Sequence, residues 1–257
     1  MRKIAVSLLV VASFNAQAAA CNKPIYLTFD TGNMDVAEYV AQVLRKHEVK
    51  ATFFLANEKT KRGDYSLDDS WAGYWQALKK DGHAFGNHTY FHTYLVKDFD
   101  ASTVMVKSQF GPDANKARKI SQDGLCVDLN LVKQRFQKLT GASLDPIWRA
   151  PGGKVSALYI QMGEVCGYRH VGWSKAGFLG DELSSEKFPN QQLLNKALHT
   201  LQPGDIAMAH LGIWSRKDPW APEVLEPLIV GLKKKGYCFD TILSLQQHSE
   251  ISRIIKP

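Results

Sequence analysis

Short apolar runs alternate with longer amphipathic segments along most of the chain. The runs IYLTF (25–29), ATFFL (51–55) and IAMAH (206–210) have the length and composition of buried strands. In the segment MDVAEYVAQVLRKHEV (34–49), apolar residues recur every three or four positions, which is typical of a helix that packs on one face. The alternation predicts an α/β fold with a parallel sheet, either closed into a barrel or doubly wound.

The alternation of strand-like and helix-like segments continues to the last strand-like run and is interrupted twice. The polar stretches 59–70 and 93–125 have no clear period and predict insertions, where long loops often shape a substrate cleft. Further strand-like runs are HAFGNH (83–88), IWRAP (147–151), YRHVGW (168–173) and YCFDTI (237–242), and further helix-like segments are 68–82, 129–141, 190–201 and 222–236. We therefore expect a single α/β domain with loop insertions.

The first twenty residues have the composition of an export signal. MRKIAVSLLVVASFNAQAAA (1–20) begins with Arg2 and Lys3, continues with an apolar run and ends in small residues. The apolar run is too short to span a bilayer, and no other stretch of the sequence is long enough. We expect a signal peptide over 1–20 and a catalytic domain over 21–257 that is exported to the periplasm or secreted, without a transmembrane segment.

Four cysteines, Cys21, Cys126, Cys166 and Cys238, remain after the signal. None lies in a CxxC pair, which argues against a structural zinc site, and export favours disulfides. Three pairings are open; we favour Cys21 with Cys238, because the first and last strands of a barrel can be neighbours, and Cys126 with Cys166. Lipid attachment at Cys21 is an alternative, but Ala18 is smaller than the aliphatic residue expected three positions before such a site.

Composition and charge narrow the class of partner. The chain of 257 residues is 45% apolar and 22% charged, as expected of a globular protein. Its formal charge of +7 falls to +5 without Arg2 and Lys3. For an exported protein this balance fits anionic envelope polymers or an ordinary solvated surface, and we expect no nucleic-acid partner. The sequence does not indicate an oligomeric state.

Ionisable side chains stand where several of the strand-like runs end. Asp30 follows IYLTF and His210 ends IAMAH, a position suited to a general acid or base. His88 and His92 lie four residues apart just beyond a strand, and in a helical turn this spacing puts both imidazoles on one face, ready to share a metal. Neutral imidazole suits zinc, cobalt or nickel.

A further polar turn follows the run IWRAP. Arg149 can hold a carboxylate through its planar fork, and the Pro-Gly-Gly turn after it can present backbone N–H groups to an oxyanion. Each of these features alone has an ordinary structural explanation. All of them nevertheless fall at the carboxyl ends of strands, and in a β/α barrel those ends converge on the face that carries the active site.

Taken in their order along the chain, these residues resemble the motifs of the polysaccharide deacetylase family (the NodB-homology domain, carbohydrate esterase family 4). TFDTG (28–32), HTYFH (88–92), RAPGG (149–153) and MAH (208–210) correspond to the family patterns TFDDG, H(S/T)xxH, RxPxG and LxH. The resemblance runs from about residue 24 to 241. It implies a distorted (β/α)₇ barrel and the metal-dependent removal of acetyl groups from N-acetylated or O-acetylated sugars.

The resemblance also implies a role for each matching position. The divalent metal it implies is zinc in the first place, with cobalt or nickel as alternatives. The roles are general base for Asp30, orientation of that base for Arg149, metal ligation for His88 and His92, oxyanion stabilisation for the backbone N–H of Gly152, and protonation of the leaving amine for His210.

The sequence departs from the family pattern beside the base. Thr31 stands where most members have a second aspartate, the third metal ligand. A neutral hydroxyl does not supply the charge of a carboxylate, so Asp30 itself, Asp35 or a water held by Thr31 would have to serve instead. Gly152 stands where many members have tyrosine, which keeps the backbone N–H but loses a ring.

The fourth family motif has no clear counterpart here. The segment HVGWSKAGFLGDEL (170–183) offers Trp173 and Asp181, which we take as candidates for substrate contact, with Asp181 alternatively a partner of a catalytic residue. The segment GIWSRKDPW (212–220) leaves the strand that ends at His210, and its Trp214 is a candidate for stacking on a sugar.

We therefore expect a metal-dependent hydrolase that removes acetyl groups from an envelope or extracellular polysaccharide, such as peptidoglycan or chitin-like oligomers. One alternative is a carbohydrate-binding member with weak activity that has lost tight metal binding through Thr31. Another is an amidohydrolase of small amides, which the export signal disfavours. Asp30, Arg149 and His210 together favour an enzyme, because binding alone does not require that set.

Overall fold

The computed structural model describes residues 21–246, so the expected signal peptide and the last residues of the expected domain lie outside the described range. Within this range strands and helices alternate as the hydrophobic pattern predicts. The strands are β1 (Pro24–Asp30), β2 (Thr52–Leu55), β3 (Ala84–Asn87), β4 (Thr93–Asp98), β5 (Thr103–Ser108), β6 (Ala117–Ser121), β7 (Ile147–Trp148), β8 (Arg169–His170), β9 (Ile206–His210) and β10 (Cys238–Phe239). The helices are α1 (Ala37–Lys46), α2 (Ala72–Lys80), α3 (Gln122–Thr140), α4 (Ala157–Val165), α5 (Asn190–Thr200) and α6 (Trp220–Lys234).

Seven of the strands form one sheet that carries the rest of the fold. Hydrogen-bonded neighbours follow the order β10–β1–β2–β3–β7–β8, and β9 also pairs with β1. All of these pairings are parallel. Between β8 and β9 the segment after β8 joins β9 through an isolated parallel bridge from Phe178 to Met208. The predicted α/β fold with seven parallel strands is confirmed, and its irregular part lies between β8 and β9.

Three phenylalanines fix the register of the first three strands. Phe29 is paired with Phe53 on β2, which is paired with Phe85 on β3. Their rings stack at centroid distances of 5.6 and 5.7 Å and belong to the buried core beneath the helices. Because side chains alternate along a strand, Thr28 and Asp30 point to the opposite face of the sheet.

That opposite face carries a second, smaller apolar cluster. A Cβ on Gly86 would lie 2.6 Å from the ring of Phe54, so glycine is required there for Phe54 to fit. The ring of Phe54 in turn lies 4.1 Å beneath the guanidinium of Arg149. The cluster thus forms an apolar floor under the candidate site, and consists of Tyr26, Phe54, Ile147, Val171, Ile206 and Ile242.

The stretch 93–125 is folded, and its prediction as a loop is wrong. Strands β4, β5 and β6 form a separate antiparallel sheet, and α3 begins at Gln122. The sheet is largely exposed on one side, and in β6 only Ile120 is buried. This explains why the apolar alternation in the sequence is too weak to identify the strands. The other interruption, 59–70, contains a bridge between Lys59 and Tyr65 and leads into a short 3₁₀ helix, Asp69–Trp71.

Both favoured disulfides are present. Cys21–Cys238 joins the chain before β1 to β10, and Cys126–Cys166 joins α3 to the end of α4. Because the sulfur of Cys21 is bonded to Cys238, the alternative of lipid attachment at Cys21 is wrong for this structure. Within residues 21–246, no helix has the length and apolar character needed to cross a membrane.

The Cys126–Cys166 disulfide closes a loop of 40 residues. Replacement of both cysteines by serine should lower the free energy of unfolding by about 2–4 kcal/mol, because the unfolded chain gains entropy. Urea denaturation of the variant and the wild type measures this difference. The matched variant Cys21→Ser/Cys238→Ser removes the disulfide that closes a loop of 217 residues, and its free energy of unfolding should fall by at least as much. Equal stability of the wild type and the Cys126→Ser/Cys166→Ser variant would contradict the prediction.

Candidate active site

Asp30 and Arg149 form a buried ion pair at the carboxyl end of the sheet. Asp30 is the last residue of β1 and is 3% exposed, and Arg149 follows β7 and is 0% exposed. Nη1 of Arg149 donates to Oδ1 of Asp30 at 2.7 Å. Burial alone would raise the pKa of Asp30, but the charge of Arg149, the nearby imidazoles of His88 and His210 and the hydrogen bond from Arg149 together hold that pKa below its usual value. Asp30 is therefore an ionised carboxylate at neutral pH.

The guanidinium of Arg149 is fixed by further hydrogen bonds. Nη1 also donates to Oγ1 of Thr28 at 2.9 Å, Nε to the carbonyl of Val171 at 3.2 Å, and Nη2 to the carbonyl of Gly172 at 3.0 Å. All three of its nitrogens are engaged, so the guanidinium cannot turn without losing buried hydrogen bonds. The contact that the sequence predicts between Arg149 and Asp30 is thus present and rigidly held.

His88 and His92 lie on a loop after β3, and the prediction of a helical turn is wrong. The backbone is left-handed at Thr89, with φ of 58°, and at His92, with φ of 49°. The two imidazoles are nevertheless neighbours, edge to face, with ring centroids 4.9 Å apart. Left-handed backbone at residues other than glycine costs free energy, so this loop requires support from the surrounding structure.

Helix α3 supplies that support through Asp128. Its Oδ1 accepts the backbone N–H groups of Tyr90 at 2.6 Å and Phe91 at 3.3 Å, and its Oδ2 accepts the hydroxyl of Thr93 at 2.8 Å. Asp128 is 4% exposed, and burial raises the pKa of its carboxyl. Sequence analysis missed this residue, because an aspartate inside a helical pattern gives no local sign of the loop that it holds.

The hydrogen bonds of His88 determine which of its nitrogens is free. Nδ1 lies 2.8 Å from the carbonyl of Arg149, and because a carbonyl only accepts, Nδ1 carries the proton and Nε2 the lone pair. Burial lowers the pKa of His88 to about 4, although the charge of Asp30 opposes this shift. Nε2 lies 3.5 Å from Oδ2 of Asp30. At neutral pH His88 therefore presents an unprotonated nitrogen beside the carboxylate.

His210 lies on the other side of Asp30, because the parallel register pairs these two residues. Nδ1 of His210 is 3.1 Å from Oδ2 of Asp181, which also accepts the backbone N–H of His210 at 2.6 Å. Burial alone would lower the pKa of His210, but the charge and hydrogen bonding of Asp181 and the charge of Asp30 raise it to about 10. His210 is therefore protonated at neutral pH. Asp181 contacts His210, and its contact with substrate stays a prediction.

Thr31 is buried and hydrogen-bonded to a residue that sequence analysis did not identify. Its hydroxyl donates to Oε1 of Glu58 at 2.6 Å and accepts the N–H of Ala56 at 3.1 Å. The same Oε1 accepts the N–H of Gly32 at 2.7 Å. Burial would raise the pKa of Glu58, but the His92 imidazole and the hydrogen bonds from Thr31 and Gly32 hold it below its usual value. An ionised carboxylate thus lies beside Thr31, the position at which this chain lacks the aspartate of the family motif.

Glu58, like Asp30, is an acidic residue close to the carboxyl end of a strand, and this position is visible in the sequence. Glu58 lies three residues after β2, at the same carboxyl edge of the sheet. It directly precedes the predicted insertion 59–70, and no motif marks it. Its bond to Thr31 is a contact between two strand ends, which appears only when the strands are paired.

Three of these side chains, Glu58, His92 and His210, line a cleft of about 260 Å³. Asp30 and His88 are buried and are not part of its lining. Trp214 stands at the cleft and is 53% exposed, with Nζ of Lys61 4.9 Å from the centre of its ring. Trp173 is half-buried, 5.6 Å from the guanidinium of Arg149, and does not belong to the cleft lining, so its contact with substrate stays a prediction. The lining includes Glu58, His92, Tyr94, Gly152, His210 and Trp214.

Gly152 occupies a position that has no room for a side chain. Its φ is 63°, and a Cβ there would lie 2.9 Å from the ring of Tyr94. The ring of Tyr94 also packs edge-on against His92 at 4.8 Å, and its hydroxyl donates to Gln109. Tyr94 therefore provides the aromatic wall at this point of the cleft.

The donor set of the cleft has the chemistry of a divalent-metal site. His92 is 8% exposed, and its Nδ1 has no hydrogen-bond partner within residues 21–246. Such a buried nitrogen requires an explanation, and a bound cation is one. With Nε2 of His88 and the carboxylate of Glu58, these donors fit zinc, cobalt or nickel. In the described range no three His, Cys, Asp or Glu side chains are already grouped as ligands, so binding requires some rearrangement.

Comparison with known proteins places the chain among deacetylases. The family model "Polysaccharide deacetylase" matches residues 17–171. The chain is 27% identical over 230 residues to the peptidoglycan-N-acetylmuramic acid deacetylase PdaA of Bacillus subtilis, covering 89% of this chain and 73% of that protein. It is 26% identical over 227 residues to a peptidoglycan-N-acetylglucosamine deacetylase of Bacillus cereus, covering 88% of this chain and 89% of that protein.

Solved structures agree with this placement. The structure of PdaA from Bacillus subtilis aligns with a TM-score of 0.61 and 25% identity over 89% of this chain and 82% of that chain. A CE4 family pseudoenzyme from Bacillus anthracis shares the fold, with a TM-score of 0.61 and 19% identity over 87% of this chain and 65% of that one. Because the family model covers more than half of the sequence and the motif residues meet around Asp30 at the carboxyl end of the sheet, this chain belongs to the polysaccharide deacetylase family.

Proposed function

We propose that the protein is an exported deacetylase that hydrolyses the acetamido groups of an N-acetylated envelope or extracellular polysaccharide of the peptidoglycan or chitin type. The observation that carries the proposal is the position of Asp30 at the carboxyl end of the sheet, 3.5 Å from Nε2 of His88 and paired in register with His210. The names of the two Bacillus relatives support an envelope polysaccharide as the substrate. Two disulfides are compatible with export.

Asp30 is the proposed general base. It takes a proton from the attacking water, whose oxygen then bonds to the acetyl carbon. Oδ1 is occupied by Arg149, which leaves Oδ2 for the water. The rigid guanidinium keeps Asp30 ionised and in one orientation, so the base does not have to be reorganised during the reaction.

His88 and His92 are the residues that we propose to hold a divalent metal, with zinc as the first choice. When bound, the metal supplies Lewis acidity to the acetyl carbonyl and lowers the pKa of the attacking water. Burial keeps the pKa of His88 low enough for its Nε2 to bind a cation at neutral pH. The loop that Asp128 supports keeps the two rings together.

His210 is the proposed general acid. As the carbon–nitrogen bond breaks, His210 gives its proton to the amine nitrogen, and acetate and the free amine are the products. Asp181 holds the ring through Nδ1, so Nε2 is the nitrogen that faces the reaction. The backbone N–H of Gly152 lines the same cleft and is the proposed donor to the carbonyl oxygen as it gains negative charge.

The direct test is the release of acetate. The mature protein, loaded with zinc or cobalt, should release acetate from chitin oligomers, acetylated xylan or peptidoglycan, and removal of the metal by a chelator should abolish the release. If no substrate yields acetate while the wild type and a His88→Ala variant bind carbohydrate equally well, the protein is a carbohydrate-binding member of the family. If only small amides are hydrolysed, the substrate assignment is wrong.

Replacing Asp30 by asparagine should lower kcat by about 10²–10⁴-fold, because the base is lost while the shape of the site is kept. Zinc content, measured by elemental analysis of the dialysed protein, should stay close to that of the wild type. A variant that loses its zinc along with its activity would show that Asp30 is a metal ligand, and the proposed role would then be wrong.

Replacing Asp181 by asparagine should move the alkaline limb of the activity profile to lower pH. The acid must be protonated, so activity falls as pH rises through the pKa of His210, which is about 10 with Asp181 in place. Without that negative charge the pKa falls, and the limb moves with it. The profile of kcat/KM against pH measures the shift, with the exposed Asp113→Asn as control. An unmoved limb would rule out His210 as the acid.

Replacing Trp214 by alanine should raise KM for oligosaccharides about 3- to 10-fold with little change in kcat, because a stacking contact is lost outside the reacting centre. Trp214→Phe keeps an aromatic face and should recover most of the loss. Steady-state kinetics on a series of chitin oligomers separates the two parameters. An unchanged KM in the alanine variant would remove Trp214 from the substrate site.

A further inference from the structure

The site lacks one negative charge relative to the motif of its family. TFDTG has the neutral Thr31 in the position after the base. Two neutral imidazoles bind a divalent cation weakly without an anionic partner, and catalytic zinc sites use three protein ligands. A carboxylate that completes the set must therefore come from elsewhere in the cleft.

Asp30 and Thr31 are poor sources of that third donor. Asp30 is ion-paired with Arg149 at 2.7 Å, and ligation would compete with this pair and with its role as base. The hydroxyl of Thr31 donates to Glu58 and accepts from Ala56, so its proton and one of its two lone pairs are already used, and it carries no negative charge. Asp35 is exposed and does not line the cleft that contains His92.

Glu58 is placed to supply the missing carboxylate. Both of its hydrogen bonds, from Thr31 and Gly32, go to Oε1, and Oε2 has no donor within residues 21–246. Glu58 is 6% exposed and lines the same cleft as His92. His92 is itself buried and has an unpartnered Nδ1. A buried carboxylate and a buried imidazole, each with a polar atom that has no hydrogen-bond partner within residues 21–246, thus line the same cleft.

The segment after β2 is built to hold Glu58 there. The backbone N–H of Glu58 donates to Oγ of Ser66 at 3.0 Å, and its carbonyl accepts the N–H of Ser66 at 2.8 Å. Oγ of Ser66 donates in turn to the carbonyl of Ala56 at 2.6 Å. The stretch 59–70 interrupts the regular pattern of the sequence. Through Ser66 it folds back and holds Glu58 at the carboxyl end of the sheet.

We propose that Glu58 provides the carboxylate ligand of the divalent-metal site, with His88 and His92, in place of the aspartate that TFDTG lacks. The carboxylate has moved from the end of β1 to the end of the neighbouring strand β2, and Thr31 has become its hydrogen-bond donor. The inference rests on the proposed function only in requiring that the cleft binds a metal, and metal binding can be measured without any substrate.

The variant Glu58→Gln tests this directly. Its amide oxygen can still accept from Thr31 and Gly32, so the local hydrogen bonds are kept while the charge is lost. The dissociation constant for zinc, measured by competition with a chromophoric chelator, should rise by about 100-fold or more. The cobalt(II)-loaded variant should differ from the loaded wild type in its visible absorption, which reports the ligands. The exposed Glu182, which lines the same cleft, provides the control: Glu182→Gln should bind zinc like the wild type.

A second variant moves the charge back to its position in the family motif. Thr31→Asp in the Glu58→Gln background should restore zinc affinity to within about 10-fold of the wild type, since it recreates TFDDG with one carboxylate in the site. Glu58→Asp keeps the charge but shortens the side chain, and its affinity should lie between those of the wild type and Glu58→Gln. Circular dichroism and thermal unfolding establish that each variant is folded.

The inference is overturned if Glu58→Gln binds zinc as tightly as the wild type, if its cobalt spectrum is unchanged, or if Glu58→Asp and Glu58→Gln bind equally. These outcomes are independent of the proposed reaction. Zinc binding that depends on Glu58 without acetate release would leave the ligand assignment intact and refute the deacetylase function. If the enzyme releases acetate but its zinc affinity does not depend on Glu58, the deacetylase function is supported and the ligand assignment is refuted.

Discussion

The buried ion pair between Asp30 and Arg149 is the constraint on which the site depends. Breaking such a pair typically costs about 3–5 kcal/mol, because the partner left behind is a buried, uncompensated charge. In this fold the pair is held in place by hydrogen bonds from every nitrogen of the Arg149 guanidinium. The same contacts tie the end of β1 to the turn after β7 and to the chain after β8. The interaction that keeps Asp30 ionised thus also joins the strands that carry the site.

The two histidines beside Asp30 owe their protonation states to different physical effects. On the β3 side, burial dominates and leaves His88 unprotonated, which suits a metal ligand. On the β9 side, His210 is also buried, but the carboxylate of Asp181 outweighs burial and keeps it protonated, which suits a general acid. Two histidines on opposite sides of one carboxylate therefore hold opposite protonation states at the same pH.

The sequence predicts those features of the fold and the site that depend on neighbouring residues along the chain. Asp30, Arg149 and His210 end or follow strands, so the fold class alone brings them to one edge. The prediction of a helical turn at His88 and His92 is wrong because that loop is shaped by Asp128, which is distant in sequence. Glu58 was missed for a similar reason, since its contact with Thr31 requires β1 and β2 to be paired. Under the proposed ligand assignment, Glu58 supplies the carboxylate that is missing at Thr31, and loss of the family aspartate does not entail loss of the metal.

The most direct measurement is a crystal structure of the protein with zinc and acetate bound. We expect zinc on the imidazoles of His88 and His92 and on the carboxylate of Glu58. Arg149 should still be hydrogen-bonded to Asp30, and His210 to Asp181. Zinc bound to Asp30, with the Arg149 contact broken and neither carboxylate oxygen of Glu58 on the metal, would contradict this expectation.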